Sequence, residues 1–247
     1  MPKMFITGGS RGIGASLVVA AAREGWDVAF TYRSAEGPAH EVAARAKAAR
    51  PEGTYGVFPL DVRDSTAVDE VADRVLDHLG GVDAVVCNAG ITHNELAYGM
   101  TDETWNDVID TNLGGSFRVS RALLPDLVAQ RGGSIVMMSS VVSEGASGQA
   151  AYAASKAGLH GLASTLAKEY GPKGVRCNVV IPGYFETDMT RDQMSGELRE
   201  FATAYCPQRR MGELDELCAA VLFLAGSGSG FVNGAVLRVT GGLDWAP

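Results

Sequence analysis

No run of apolar residues in this chain approaches the roughly 20 that a membrane-spanning helix requires, and its 9 prolines are too scattered to mark a linker. Cysteine numbers only four, at positions 87, 177, 206 and 218, with no CxxC pair. That spacing excludes a disulfide scaffold or a zinc ribbon and reads as buried free thiols. The four histidines, at 40, 78, 93 and 160, are equally dispersed, so no metal is assigned. Basic blocks are missing too, since 21 Lys and Arg against 29 Asp and Glu leave a formal charge of −8. A scattered acidic balance points away from nucleic acid and from anionic membranes as partners. The opening MPKMFITGGSRG breaks into glycine after a short apolar run, unlike a secretory leader, and the expected location is cytoplasmic.

What is present is an alternation of short apolar runs with stretches of helical period. Strands are expected at 3–7, 27–32, 55–61, 82–88, 133–140, 175–181 and 235–241, about seven in all. Helices are expected at 12–24, 36–49, 65–79, 102–130, 150–170 and 213–225. This order is the signature of an α/β fold with a parallel sheet covered on both faces. With no linker and no repeat, residues 1–247 read as one doubly wound domain. Residues 183–212 interrupt the rhythm with methionines, aromatics and mixed charges beyond a strand end. Ligands bind outside the carboxyl ends of strands in such sheets, so this segment is expected to be a substrate flap.

TGGSRGIG, at 7–14, follows the first strand and opens the first helix. Glycines there allow a tight turn and close approach of a pyrophosphate to a helix N-terminus, which favours an anion. Gly8, Ser10, Arg11, Gly12, Ile13 and Gly14 are therefore candidate cofactor contacts in a Rossmann-type fold. Gly8, Ser10 and Gly12 also spell GxSxG, the nucleophile elbow of hydrolases. A hydrolase triad places its histidine late, whereas the last one here is His160, and this disfavours that reading. The second strand ends in TYRS, at 31–34, without the acid that holds a ribose 2′-hydroxyl in NAD-binding folds. Arg33, beside Tyr32 and helped by Arg11, suits a 2′-phosphate instead, so NADP(H) is the expected cofactor.

QAAYAASKAGLHGLA, at 149–163, is an alanine-rich helix carrying Tyr152 and Lys156 one turn apart on one face. A phenol beside an ammonium can be a surface pair or an acid tuned by a cation. Together with CNAG (87–90), TNL (111–113), MMSS (137–140), YAASK (152–156) and PGYFETDM (182–189), the chain resembles the short-chain dehydrogenase/reductase family over nearly its whole length. Within it the stretch from 88 to 113 is most similar to 3-oxoacyl-[acyl-carrier-protein] reductases, with ketoreductases of polyketide pathways next.

The resemblance implies a catalytic tetrad of Asn112, Ser140, Tyr152 and Lys156, reducing a ketone with NADPH in fatty-acid or polyketide biosynthesis. Tyr152 would be the general acid, its pKa lowered by Lys156. Ser140 would bond the substrate oxygen, Lys156 together with Tyr152 would contact the cofactor at the nicotinamide ribose, and Asn112 would hold a proton-relay water. Ser139 is the neighbouring alternative to Ser140, and the family pattern selects the second serine. Asp61 with Val62 is placed at the adenine, Asn88 and Gly90 along the ribose, and Gly183 with Thr187 near the carboxamide. Cys87, where the family often has asparagine, is expected to face away from the chemistry.

The resemblance also implies a homotetramer, with the helices at 102–130 and 150–170 forming one interface and the C-terminal segment GAVLRVTGGLDWAP another. Arg131 and Lys173 stand where the resembled reductases keep cations that dock an acidic carrier protein. The alternative to carrier-bound substrate is a tailoring ketoreductase or an alcohol dehydrogenase for another small carbonyl compound. A cofactor-binding regulator without catalysis is disfavoured by the complete tetrad.

Overall fold

In the computed structural model, which describes residues 1–186 and 196–244 (Leu198 by its backbone alone), seven parallel strands form one sheet. They are β1 (Lys3–Ile6), β2 (Asp27–Tyr32), β3 (Tyr55–Pro59), β4 (Ala84–Cys87), β5 (Gly133–Met138), β6 (Val175–Pro182) and β7 (Val236–Val239). Their order is β3-β2-β1-β4-β5-β6-β7, so the chain reverses its direction of growth between β1 and β4. At such a switch point the loops leaving the two strands part, and a crevice opens at their carboxyl ends.

Helices α1 (Gly12–Arg23), α2 (Glu36–Ala49) and α8 (Leu214–Ala225) cover one face; α3 (Ser65–Leu79), α5 (Gly115–Ala129) and α6 (Ala150–Tyr170) cover the other. Alternate strand residues feed the two cores, since successive side chains point to opposite faces. Phe5, Val85, Ile135 and Val179 pack with Leu123, Leu127 and Leu159, while Met4, Val86, Val136 and Val180 pack with Leu17, Val18 and Leu217. Both faces being covered, β4 reads as an unbroken apolar run, AVVC, buried throughout. Each fully buried leucine contributes roughly 1.5–3 kcal/mol.

Local signals set most helix ends. Asp64 caps α3 by accepting the Ala67 N–H at 3.0 Å, and Gly80 closes it at φ +69°. The expected helix at 102–130 is instead three pieces: α4 (Asp102–Ile109), a π turn (Asp110–Gly114) and α5. The wider turn is favoured by the glycines at its end. Gly115 lies against Val62, where a methyl group would come within 2.5 Å of Cγ2. The segment 183–212 contains a helix the sequence did not suggest, α7 (Gly196–Tyr205). Its ends are stitched together where Gly212 N–H donates to Tyr184 O at 2.9 Å and Phe185 packs on Gly212. No described helix is long and apolar enough to cross a membrane, and among the described residues no three His, Cys, Asp or Glu gather as a metal site. All four cysteines are free and buried.

Candidate active site

The loop after β1 is held from below by β4. Thr7 Oγ1 accepts the N–H groups of Asn88 and Ala89 at 3.1 and 3.0 Å, and Asn88 Nδ2 donates to Thr7 O and Gly8 O, both at 3.0 Å. A methyl group at Gly14 would sit 2.2 Å from Gly8 O, so glycine alone permits this approach of loop and helix. Gly8 adopts φ +68° to turn the chain, and the space around Gly12 is open to 4 Å. Helix α1 has no side-chain cap among the described residues, which leaves its first N–H groups and partial positive charge for an anion.

A cleft of about 340 Å³ runs from this loop to α6. It is lined by Gly8, Ser10, Arg11, Gly12, Ile13 and Gly14 at one end and by Tyr152 and Lys156 at the other. Between them stand Tyr32, Arg33, Asp61, Val62, Asn88 and Gly90. Gly183 does not line it; the residue is packed on Thr240, and its neighbour Pro182 forms the wall instead. Thr187, expected beside it, and Met189 of the expected flap lie outside the described residues. Ser10 makes no hydrogen bond to a histidine or an acid among the described residues, so no hydrolase triad forms around it.

Beside the loop, Arg33 is exposed. Burial and the Glu36 carboxylate raise the Tyr32 phenol above its usual value. Asp61 is bound to Arg63 at 2.7 Å, and Arg63 reaches Asp107 at 2.8 Å. The hydrogen bond from Arg63 holds the Asp61 carboxyl below the usual range.

At the other end four segments meet. The Ser140 hydroxyl is close enough to the Tyr152 side chain to oppose the rise of its pKa, and it accepts the Val142 N–H at 3.2 Å, capping a 3₁₀ turn (Val141–Glu144). Lys156 Nζ lies 5.6 Å from the centre of the Tyr152 ring and donates to Met138 O at 2.7 Å. Asn112, fully buried in the π turn, accepts the Ile91 N–H at 2.8 Å and donates to Ile91 O at 2.9 Å and Ser155 Oγ at 3.0 Å. Ser155 Oγ in turn donates to Tyr152 O at 2.7 Å. The amide of Asn112 is thus engaged by main chain and serine rather than pointing at Tyr152. A methyl group at Gly90 would lie 3.1 Å from Asn112 Oδ1 and 3.4 Å from Lys156 Nζ, so all three border one point. A π turn that carries an inward polar residue is a common mark of a functional site.

Burial, not the lysine, dominates the electrostatics here. Desolvation raises the Tyr152 phenol above its usual value, with Ser140 opposing, whereas the sequence led us to expect a lowered value. Lys156 is itself stripped of water and pulled down to about 8, with Cys87 opposing. The Lys156 ammonium is engaged by Met138 O, and at the phenol burial outweighs it. Cys87 points into α5, 3.7 Å from Ser116 O and 3.8 Å from Ser120 Oγ, and burial pushes its thiol up to about 11.

Arg131 and Lys173 are brought together, since a methyl group at Gly174 would touch Arg131 O at 2.4 Å. They precede β5 and β6, however, at the amino ends of strands six and eight residues long. That places them roughly 20 Å from the cleft of their own chain. Sequence reasoning gave no role to Ser155, Ile91 or Thr111; Ile91 and Thr111 line the cleft, Thr111 with a buried hydroxyl that has no partner, and so does Ser139, the serine passed over for Ser140. Ser155 and Thr111 stand inside the quoted motifs and Ile91 beside one.

Comparison with known proteins agrees with this geometry. A family model described as Enoyl-(Acyl carrier protein) reductase matches residues 8–244. The 3-oxoacyl-[acyl-carrier-protein] reductase FabG of Escherichia coli K12 is 39% identical over 240 residues, 97% of this chain and 96% of that one. FabG of Staphylococcus epidermidis RP62A is 36% identical over 97% of both chains. A solved chain from Sinorhizobium meliloti 1021, provisionally described as a short-chain alcohol dehydrogenase, superposes with a TM-score of 0.93 at 32% identity, covering 98% of this chain and 96% of its own. On fold, loop and sequence together, the chain belongs to the short-chain dehydrogenase/reductase family.

Proposed function

We propose that the protein is a single-domain oxidoreductase that uses NADPH to reduce a 3-oxoacyl thioester, carried on acyl carrier protein, to the 3-hydroxyacyl thioester. The observation that carries the reading is one cleft joining an uncapped helix N-terminus to Tyr152 and Lys156, one turn apart on α6. The names and identities of the FabG relatives support the ketone and the carrier.

The residues present fit a dinucleotide. Gly12 leaves open space at the loop, and the buried, unpartnered Thr111 hydroxyl borders the cleft. The loop from Gly8 to Gly14 would hold the pyrophosphate, Arg11 and Arg33 a 2′-phosphate, and Lys156 the nicotinamide ribose. The bound cofactor supplies the hydride that goes to the carbonyl carbon. Ser140 orients the substrate oxygen, and Tyr152 donates its proton to the developing alkoxide. A phenol held above its usual pKa stays protonated at neutral pH, as a donor must. Lys156, near 8, is placed to return a proton to the tyrosinate.

Carrier docking through Arg131 and Lys173 would serve the cleft of a second copy, given their place at the amino ends of the strands. A homotetramer is supported by a groove of about 1160 Å³ between α4, α5 and α6 that exposes Phe117 and is lined by the half-buried Leu162. A cytoplasmic setting follows from fatty-acid synthesis on a carrier. A second reading, reduction of a polyketide or another small carbonyl compound, is supported by the likeness to the Sinorhizobium chain.

The test is oxidation of NADPH, and of NADH, with acetoacetyl and crotonyl thioesters. Turnover of acetoacetyl thioester with NADPH preferred is expected. Activity confined to the crotonyl thioester would make the enzyme an enoyl reductase, and inactivity with both beside activity on other ketones would favour the second reading.

A further inference from the structure

His160 stands one turn beyond Lys156 on α6, and no step proposed above uses it. Its Nε2 lies 3.0 Å from Ser139 Oγ, which also lies 3.0 Å from the main-chain oxygen of Lys156. A carbonyl only accepts, so the single hydroxyl proton of Ser139 goes to Lys156 O. The serine oxygen then faces the ring with lone pairs, and Nε2 must carry the hydrogen between them. The result is a directed chain from His160 Nε2–H to Ser139 O–H to Lys156 O.

A second chain has the same form: Asn112 Nδ2–H to Ser155 O–H to Tyr152 O, at 3.0 and 2.7 Å. Each ends on the carbonyl of one member of the Tyr152 and Lys156 pair. In a helix the carbonyl of residue 156 already receives the N–H of residue 160, so the serine adds a bond that the helix does not need. Ser139 is itself fixed, since its N–H donates to Val180 O at 2.8 Å. Lys156 is therefore held at both ends by consecutive residues, its ammonium by Met138 O and its carbonyl by Ser139.

We propose that His160 is a positioning residue, which through the Ser139 hydroxyl locks the Lys156 turn of α6 onto the end of β5. The inference rests on the reading that Lys156 acts in turnover. The charged groups that bear on the ring are Arg238 of β7 and Glu144 of the 3₁₀ turn, which pair with each other. Burial and Arg238 hold His160 below its usual value, with Glu144 opposing. Protonation would occur at Nδ1 and leave Nε2–H in place, so the lock holds in either charge state.

Two measurements test it on the full chain. Nitrogen-15 NMR of histidine-labelled protein should show the Nε2–H tautomer at residue 160, and the Nδ1–H form would overturn the proposal. His160→Leu and Ser139→Ala should each lower kcat at saturating NADPH by roughly tenfold, below the ~10²-fold cost of an ångström of misplacement, with little change in KM. The double variant should be no worse than either single one, and His160→Gln, which keeps an N–H donor, should recover most of the rate. Additive losses in the double variant, or His160→Gln as slow as His160→Leu, would overturn it. The tautomer, and the same coupling read in urea midpoints, need no substrate, so they decide this inference even if thioester reduction fails.

Discussion

The two ends of the cleft are built on different principles. The loop end comes from one contiguous segment, Thr7 to Gly14, whose shape depends on what is missing at Gly8 and Gly14. The proposed catalytic end comes from four segments around residues 90, 112, 140 and 156, and depends on buried polar groups that each find a partner. Steric room makes the first, and hydrogen bonding in low dielectric makes the second. Perturbing one end should therefore leave a different trace from perturbing the other.

The largest effect is expected from Lys156→Met. Turnover should fall by roughly 10³-fold, within the usual range for proton-transfer groups, while the cofactor-free protein becomes more stable at pH 7. Burial holds Lys156 near 8 rather than 10.5, so the unfolded chain binds the proton more tightly between those values. Stability contributed by the wild-type lysine then rises with pH across that window. The advantage of the variant in urea unfolding should shrink from pH 7 to pH 10.5; a constant advantage would show that the lysine is not desolvated.

Gly14→Ala probes the steric end. With its methyl 2.2 Å from Gly8 O, it should cost about 1–3 kcal/mol in urea unfolding and abolish NADPH binding by fluorescence titration. Unchanged binding would mean that the loop is not the phosphate cradle. The smallest effect is expected of Thr111→Val, which removes a buried hydroxyl without a partner. It should stabilise the cofactor-free protein by about 1 kcal/mol and weaken NADPH severalfold. Weaker stability and unaltered affinity would contradict its place in the cleft.

The same contrast explains what the sequence revealed. The glycine loop and all seven strands could be read because their cause is local: turn geometry and runs of β-branched residues bounded by breakers. The break in the helix at Asp110–Gly114 could not, because a π turn forms where packing against Val62 and Ile91 makes it profitable in hydrogen bonds, which periodicity does not report. α7 was obscured because its ten residues sit among loops that share its composition. The proposed tetrad residues came from resemblance, which did not carry their electrostatics. The Tyr152 and Lys156 shifts follow from burial, and burial is a property of the assembled wall. Arg131 and Lys173 illustrate a further limit: resemblance named them, yet strand direction decides which end of the sheet they occupy.

The central claim is that the loop end and the wall end form one site, with Tyr152 acting on substrate and not on cofactor. Tyr152→Phe tests it most directly, by titrating NADPH fluorescence and measuring acetoacetyl thioester reduction on the same preparation. The account predicts NADPH affinity within about twofold of wild type and turnover reduced by roughly 10²–10⁴-fold. Wild-type turnover in that variant would contradict it.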